Sequence, residues 1–118
     1  MVFNPQPKDK RVVDQVYIDW IKSLDSVGNA GPGGDAHHII GFGLSGAALT
    51  PDDYFAIPLS RGEHILLHRD PKKWERENNH QIPLCMFILG KARDENKISE
   101  QIFQKYYYKC LKAWDKIK

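Results

Sequence analysis

Four of the five histidines fall into two pairs, His37-His38 and His64-x-x-x-His68, and the second pair constrains the fold most. Residues four apart lie one above the other on a helix, so a helix over Arg61 to Arg69 presents both imidazoles to one metal ion. That is half a site. A third neutral nitrogen delivered by a nearby strand leaves open positions for water and substrate, and His37 or His38 is placed to supply it. Each pair alone has a plainer reading: His-x-x-x-His arises by chance, and His-His can cap or hydrogen-bond within a loop. Their joint occurrence in strand, strand, helix order favours the shared site.

That order comes from the pattern around the histidines. Residues 1–10 hold two prolines and two lysines with little apolar material, which suits a flexible basic tail. From Arg11 to Leu24, Val13, Val16, Tyr17, Trp20, Ile21 and Leu24 recur at three- and four-residue spacing, predicting an amphipathic helix. Glycines then break the chain between Ser26 and Asp35. His37 to Ile40 and Tyr54 to Leu59 read as strands, the second held to a short or edge position by Pro58. The helix over Arg61 to Arg69 follows, with Ile65 and Leu66 available for packing and Pro71 closing it or opening the next turn. Pro83 begins a helix to about Lys91, and Ser99 caps another whose apolar side carries Phe103, Tyr106, Tyr107, Cys110, Leu111 and Trp114. Tyr106 and Trp114 therefore read as core and not as base-stacking residues.

At 118 residues the chain fits one domain, and its ordinary balance of apolar and charged residues predicts a folded one. No stretch is long and apolar enough to cross a bilayer and the first residues lack the apolar core of a secretion signal, so the expected location is cytoplasmic, with no membrane partner. Cys85 and Cys110 are not spaced as Cys-x-x-Cys and read as buried free thiols. A formal charge of only +2 means that any polyanion site must be local. His80 reads as a surface or capping residue.

The segments GDAHHIIGFGLSG and DDYFAIPLSRGEHILLHRDPKKWE resemble the HNH finger of the phage recombination-enhancement nucleases and, more distantly, of the colicin DNases, over roughly residues 10–82. The fold this implies is α+β: a small ββα-metal (HNH) finger with a short two-stranded antiparallel sheet at about residues 35–70, wrapped by helices at 11–24 and 83–117, in a single domain spanning 11–118. The resemblance assigns His37, His64 and His68 to one divalent metal ion (zinc, magnesium, manganese or nickel) and His38 to the general base. Relatives often carry a Cys-x-x-Cys pair where this chain has Asp25 to Asn29, and a cysteine where it has Ser60, so no structural zinc knuckle is expected. The asparagine that names the motif is not evident; Asp52 or Asp53 stands in its region as an orienter of His38, with Asp53 carried forward as the catalytic partner.

The activity implied is metal-dependent hydrolysis of DNA phosphodiester bonds with little sequence preference, in phage or prophage recombination inside a bacterial host, with a recombinase filament as a further partner. Lys8, Lys10 and Arg11 in the tail and Arg61, Arg69, Lys72 and Lys73 around the metal helix are the expected phosphate contacts. Adjacent strand residues point to opposite faces, so a backbone bend is expected at His37-His38. The rival reading is a non-catalytic, metal-stabilised module that binds DNA or protein.

Overall fold

The computed structural model describes residues 11–28, 31–39, 41–44 and 50–118, and among them the chain forms five helices and one two-stranded antiparallel sheet. Helix α1 (Gln15–Lys22) begins where the Asp14 carboxylate accepts the Tyr17 amide, a cap that satisfies one of the open donors of the first turn. It is shorter than the expected Arg11 to Leu24. Residues 11–14 instead run extended beside the segment before the second strand: the Asp53 amide donates to Val12 O at 3.0 Å, and the Val12 and Asp14 amides donate to the Asp52 and Asp53 carboxylates. The buried face consists of Tyr17, Ile18 and Ile21, while Val13 lies ahead of the helix and Val16, within it, is solvent-exposed.

The chain returns from α1 through a tight turn. The Gly33 amide donates to Leu24 O and the Gly34 amide to Lys22 O. Gly34 has φ 107, a conformation that side chains rarely adopt, and a Cβ on Gly33 would overlap the Leu24 carbonyl. Strand β1 (Asp35–His38) starts there, two residues earlier than expected, and pairs with β2 (Ala56–Leu59) in the register Asp35↔Leu59, Ala36↔Pro58, His37↔Ile57, His38↔Ala56. Both strands are edges, so the missing Pro58 amide costs the ladder little, and its carbonyl accepts the Val27 amide.

Ser60 alone separates β2 from α2 (Arg61–Arg69), and its hydroxyl accepts the Glu63 amide. Leu67 fills the inward position, whereas Ile65 and Leu66 face solvent, contrary to the packing expected of them. The histidines and Leu67 share the inward side of the helix, which turns positions 65 and 66 outward. Asp70 ends α2 and caps α3 (Pro71–Glu77), a separate short helix opened by Pro71 at its first position. Trp74 of α3 is buried and its indole N–H donates to Glu63 of α2.

Helix α4 (Gln81–Asp94) extends beyond the expected Pro83 to Lys91, because His80 caps it through Nδ1 and Pro83 is accommodated in the first turn. Asn96, with φ 59, turns the chain into α5 (Glu100–Ile117), capped by Ser99. Phe103, Tyr106, Cys110 and Ala113 of α5 join Cys85, Ile88 and Leu89 of α4 and Tyr54, Phe55 and Ile57 in one core, with Trp114 and Tyr107 packed at its margin and Leu111 outside it. Both cysteines are buried free thiols. No helix among the described residues is long and apolar enough to cross a membrane.

Gly33→Ala should lower stability by about 1–3 kcal/mol, the range for forcing atoms into occupied space, read as a lower urea midpoint with an unchanged slope. A neutral result would show that the turn into β1 yields freely.

Candidate metal centre

The inward pleat of β1 carries His37, whose side chain is only 4% exposed. Its Nε2 lies 2.8 Å from Gln81 Oε1 at the start of α4. Gln81 gives its amide nitrogen to Glu75 Oε2 at 3.1 Å, so its oxygen faces the ring; His37 Nε2 therefore donates and Nδ1 keeps the lone pair. Across from it, α2 supplies His64 and His68, whose rings pack edge-on against His37 with centroids 5.0 and 5.2 Å away. His64 Nδ1 donates to Asp35 Oδ2 at 3.0 Å, which turns its Nε2 lone pair toward His68 Nε2, 3.1 Å away.

One nitrogen from each of these three residues lies within 4.8 Å of the other two. Nitrogens bound to one ion at about 2.0–2.1 Å stand roughly 2.9–3.4 Å apart for octahedral to tetrahedral angles, and the His64–His68 separation falls in that span. Asp35 and Gln81 fix two of the rings in the manner of outer partners that set a ligand's tautomer and orientation. Burial lowers the His37 pKa to about 4, reinforced by His64, His68 and His38 nearby and opposed by the Gln81 contact. His37 is thus a neutral imidazole at ordinary pH, the form that a metal ion requires. The donor set fits a nitrogen-preferring divalent ion.

His38, the next residue on β1, faces the other way. Its Nε2 is 2.9 Å from Asp53 Oδ1, and the buried Asp53 carboxylate also accepts Arg11 Nη1 at 2.6 Å and the Asp14 amide at 2.7 Å. Burial opposes the charge on Asp53, but the hydrogen bonds from His38, Asp14 and Arg11, with the Arg11 charge, outweigh it and hold the carboxyl below its usual range. An ionised Asp53 accepts from Nε2–H, which places the ring's lone pair on His38 Nδ1. The bend expected at His37-His38 is not present: the ladder runs regularly through His38↔Ala56, and the two rings serve opposite faces.

Of the two aspartates expected near His38, Asp53 is the one in contact with its ring. Asp52 instead accepts the Val12 amide and the Tyr106 hydroxyl, at 2.8 and 2.6 Å, and does structural service. Arg11, expected to meet phosphate, is held in the ion pair with Asp53. Arg61 remains largely exposed while touching Asp35 Oδ1 at 3.2 Å. Lys72 borders a cleft of about 360 Å³ that opens beside His37, His68 and Gln81; Arg69 and Lys73 flank a separate hollow beside Trp74. Lys8 and Lys10 lie outside the described residues. Sequence reasoning missed Asp35 and Gln81. Asp35 was within reach of it, since it stands two before His37 and so shares its pleat; Gln81 carried no local signal.

Residues 1–94 match the family described as "Protein of unknown function (DUF968)", and the chain belongs to it. It is similar to the uncharacterized protein YdfU of Escherichia coli (strain K12), 32% identical over 90 residues that make up 76% of this chain and 26% of that protein. The chain thus spans about a quarter of the length of that curated relative. No solved structure matches it.

The depressed His37 pKa fixes the sign of a pH effect. The unfolded chain binds the proton that the folded chain refuses, so this contribution is complete above about 6.5 and is lost as pH falls toward about 4. Chelator-treated protein should lose up to about 3 kcal/mol across that window, and His37→Leu should remove this part of the slope in urea melts. Equal slopes in both proteins would contradict the burial of a neutral ring.

Proposed function

We propose that this chain is a metal-dependent endonuclease of the HNH, ββα-metal finger kind, acting on DNA phosphodiester bonds. The observation that carries the reading is the delivery of His37 from β1 and of His64 and His68 from the helix after β2 to within one ion's reach, with His38, the very next residue, held by a buried carboxylate. Three protein nitrogens leave coordination positions open, as catalytic sites do and closed structural sites do not.

A divalent ion held by His37, His64 and His68 would supply Lewis acidity to a phosphate oxygen and to the departing 3′ oxygen. Nitrogen ligands favour zinc, nickel or manganese over magnesium on softness grounds, with metal supply able to reverse the order. His38 Nδ1 takes a proton from water as the water oxygen bonds to phosphorus and the bond from phosphorus to the 3′ oxygen breaks. Asp53 keeps that nitrogen free by accepting Nε2–H, and its negative charge stabilises the imidazolium that forms. Because the two histidines serve opposite faces of β1, the phosphodiester must straddle the strand to meet both. Lys72, at the mouth of the cleft, supplies positive charge to the bound backbone. The same resemblance extends the proposal to recombination of phage or prophage DNA in the bacterial cytoplasm, with a recombinase filament presenting the strand.

Plasmid nicking after chelator treatment and metal restoration tests the reading. Wild type should nick with at least one of zinc, nickel, manganese and magnesium. His38→Ala should lose about 10²–10⁴-fold of the rate, the usual weight of a general base, while its metal affinity stays unchanged. Metal binding without nicking in either protein would support the non-catalytic module instead.

A further inference from the structure

Helix α5 exposes Lys105, Lys109, Lys112 and Lys116 at spacings of four, three and four residues, which align them within about a sixth of the helix circumference. Residues 101–114 contain no aspartate or glutamate. Like charges three and four apart on a helix repel, and no ion pair reaches this row among the described residues, whereas Lys91 pairs with Glu95 and Lys118 with Asp115. The ammonium groups instead lie over aromatic rings. Lys105 and Lys109 stand 5.4 and 5.5 Å from the Tyr106 ring, and Lys112 stands 5.4 Å from the exposed ring of Tyr108. In a chain of formal charge +2, this is a concentrated cationic stripe without a carboxylate partner among the described residues.

The stripe also has a place relative to the metal centre. Lys109, Lys112 and Lys116 form one wall of a groove of about 290 Å³ whose other wall is Phe42 and Leu44. Phe42 is at the same time a wall of the cleft that holds His37, His68 and Lys72. Its ring packs on His80, 5.1 Å away, and His80 packs on Trp114 of α5 at 4.9 Å, so the residues between the two hollows are tied to α5. The groove and the cleft meet at one side chain.

We infer that the lysine row of α5 is a phosphate track that holds a DNA strand leading into the histidine centre, with Tyr108 offering a face on which a base can stack. This deepens the nuclease reading and rests on it for the destination of the strand. From Lys105 to Lys116 the helix rises about 16 Å, which matches the rise of about five nucleotides of one strand. Phosphate contacts of this kind place the backbone without reading sequence, and lysine, a compact charge on a flexible stem, suits such contacts.

The test is DNA binding by the whole chain in chelator, measured by fluorescence anisotropy with a labelled duplex and a labelled single strand across a salt series. The proteins are wild type, K109Q/K112Q and the charge-matched control K22Q/K91Q. Glutamine keeps helix propensity, and far-UV circular dichroism checks that each variant is folded. On duplex DNA, K109Q/K112Q should bind about ten-fold more weakly at low salt. Raising salt from about 50 to about 200 mM should cost wild type about ten-fold more affinity than it costs this variant, the effect of two lost phosphate contacts. The control should match wild type. Wild-type affinity and salt slope in K109Q/K112Q would overturn the track, as would equal losses in the control. Binding of wild type to phosphatidylserine vesicles but to neither DNA would also overturn it and assign the row to an anionic membrane surface. The lysine effect together with an absence of metal-dependent nicking would leave the track standing and remove the nuclease reading; intact nicking without the lysine effect would do the reverse.

Discussion

One residue, Ser60, separates the end of β2 from the start of α2, and the geometry of the centre depends on that short passage. Because β1 pairs with β2 in the register Asp35↔Leu59, the first residue of β1 lies beside the first turn of α2. Asp35 then reaches both Arg61 and His64, and His37, on the same pleat, comes to rest over His64 and His68. A longer connection would free α2 to choose its own approach to the sheet. The Ser60 cap, the Glu63 contact to Trp74 and the burial of Leu67 hold it in one, so the spacing of the two helical histidines becomes a position in space.

Asp53 is the second node. A carboxylate this deeply buried is costly unless donors surround it, and here three do: the His38 ring, the Arg11 guanidinium and the Asp14 amide. Through them it fastens the extended segment ahead of α1 to the segment ahead of β2, and it sets the tautomer of His38. Its neighbour Asp52 completes the same seam from the other side, through the Val12 amide and the Tyr106 hydroxyl of α5. His38 and the framework share one set of hydrogen bonds, and Arg11 is engaged in it.

What the sequence made legible was local. The i, i+4 histidines, the Ser99 cap and the strand-strand-helix order all follow from neighbours a few positions apart, and α2 starts and ends where the pattern put it. Long-range partners decided the rest. The start of α1 turned on a cap at Asp14 that the apolar spacing did not reveal, leaving Val13 ahead of the helix. Separating α3 from α2 required Asp70 to stop one helix and cap the next. The Gln81 contact to His37 joins residues 44 apart, and no period in the chain encodes it. Asp52 and Asp53 were alike in the sequence, and only the structure shows that Asp53 contacts His38 while Asp52 meets Tyr106.

The central claim is that His37, His64 and His68 form one metal site, and calorimetric titration of zinc into chelator-treated protein addresses it most directly. One ion should bind per chain in wild type, and His64→Ala and His68→Ala should each abolish that binding while remaining folded. Absence of binding by wild type, or binding of equal strength in both variants, would contradict the account.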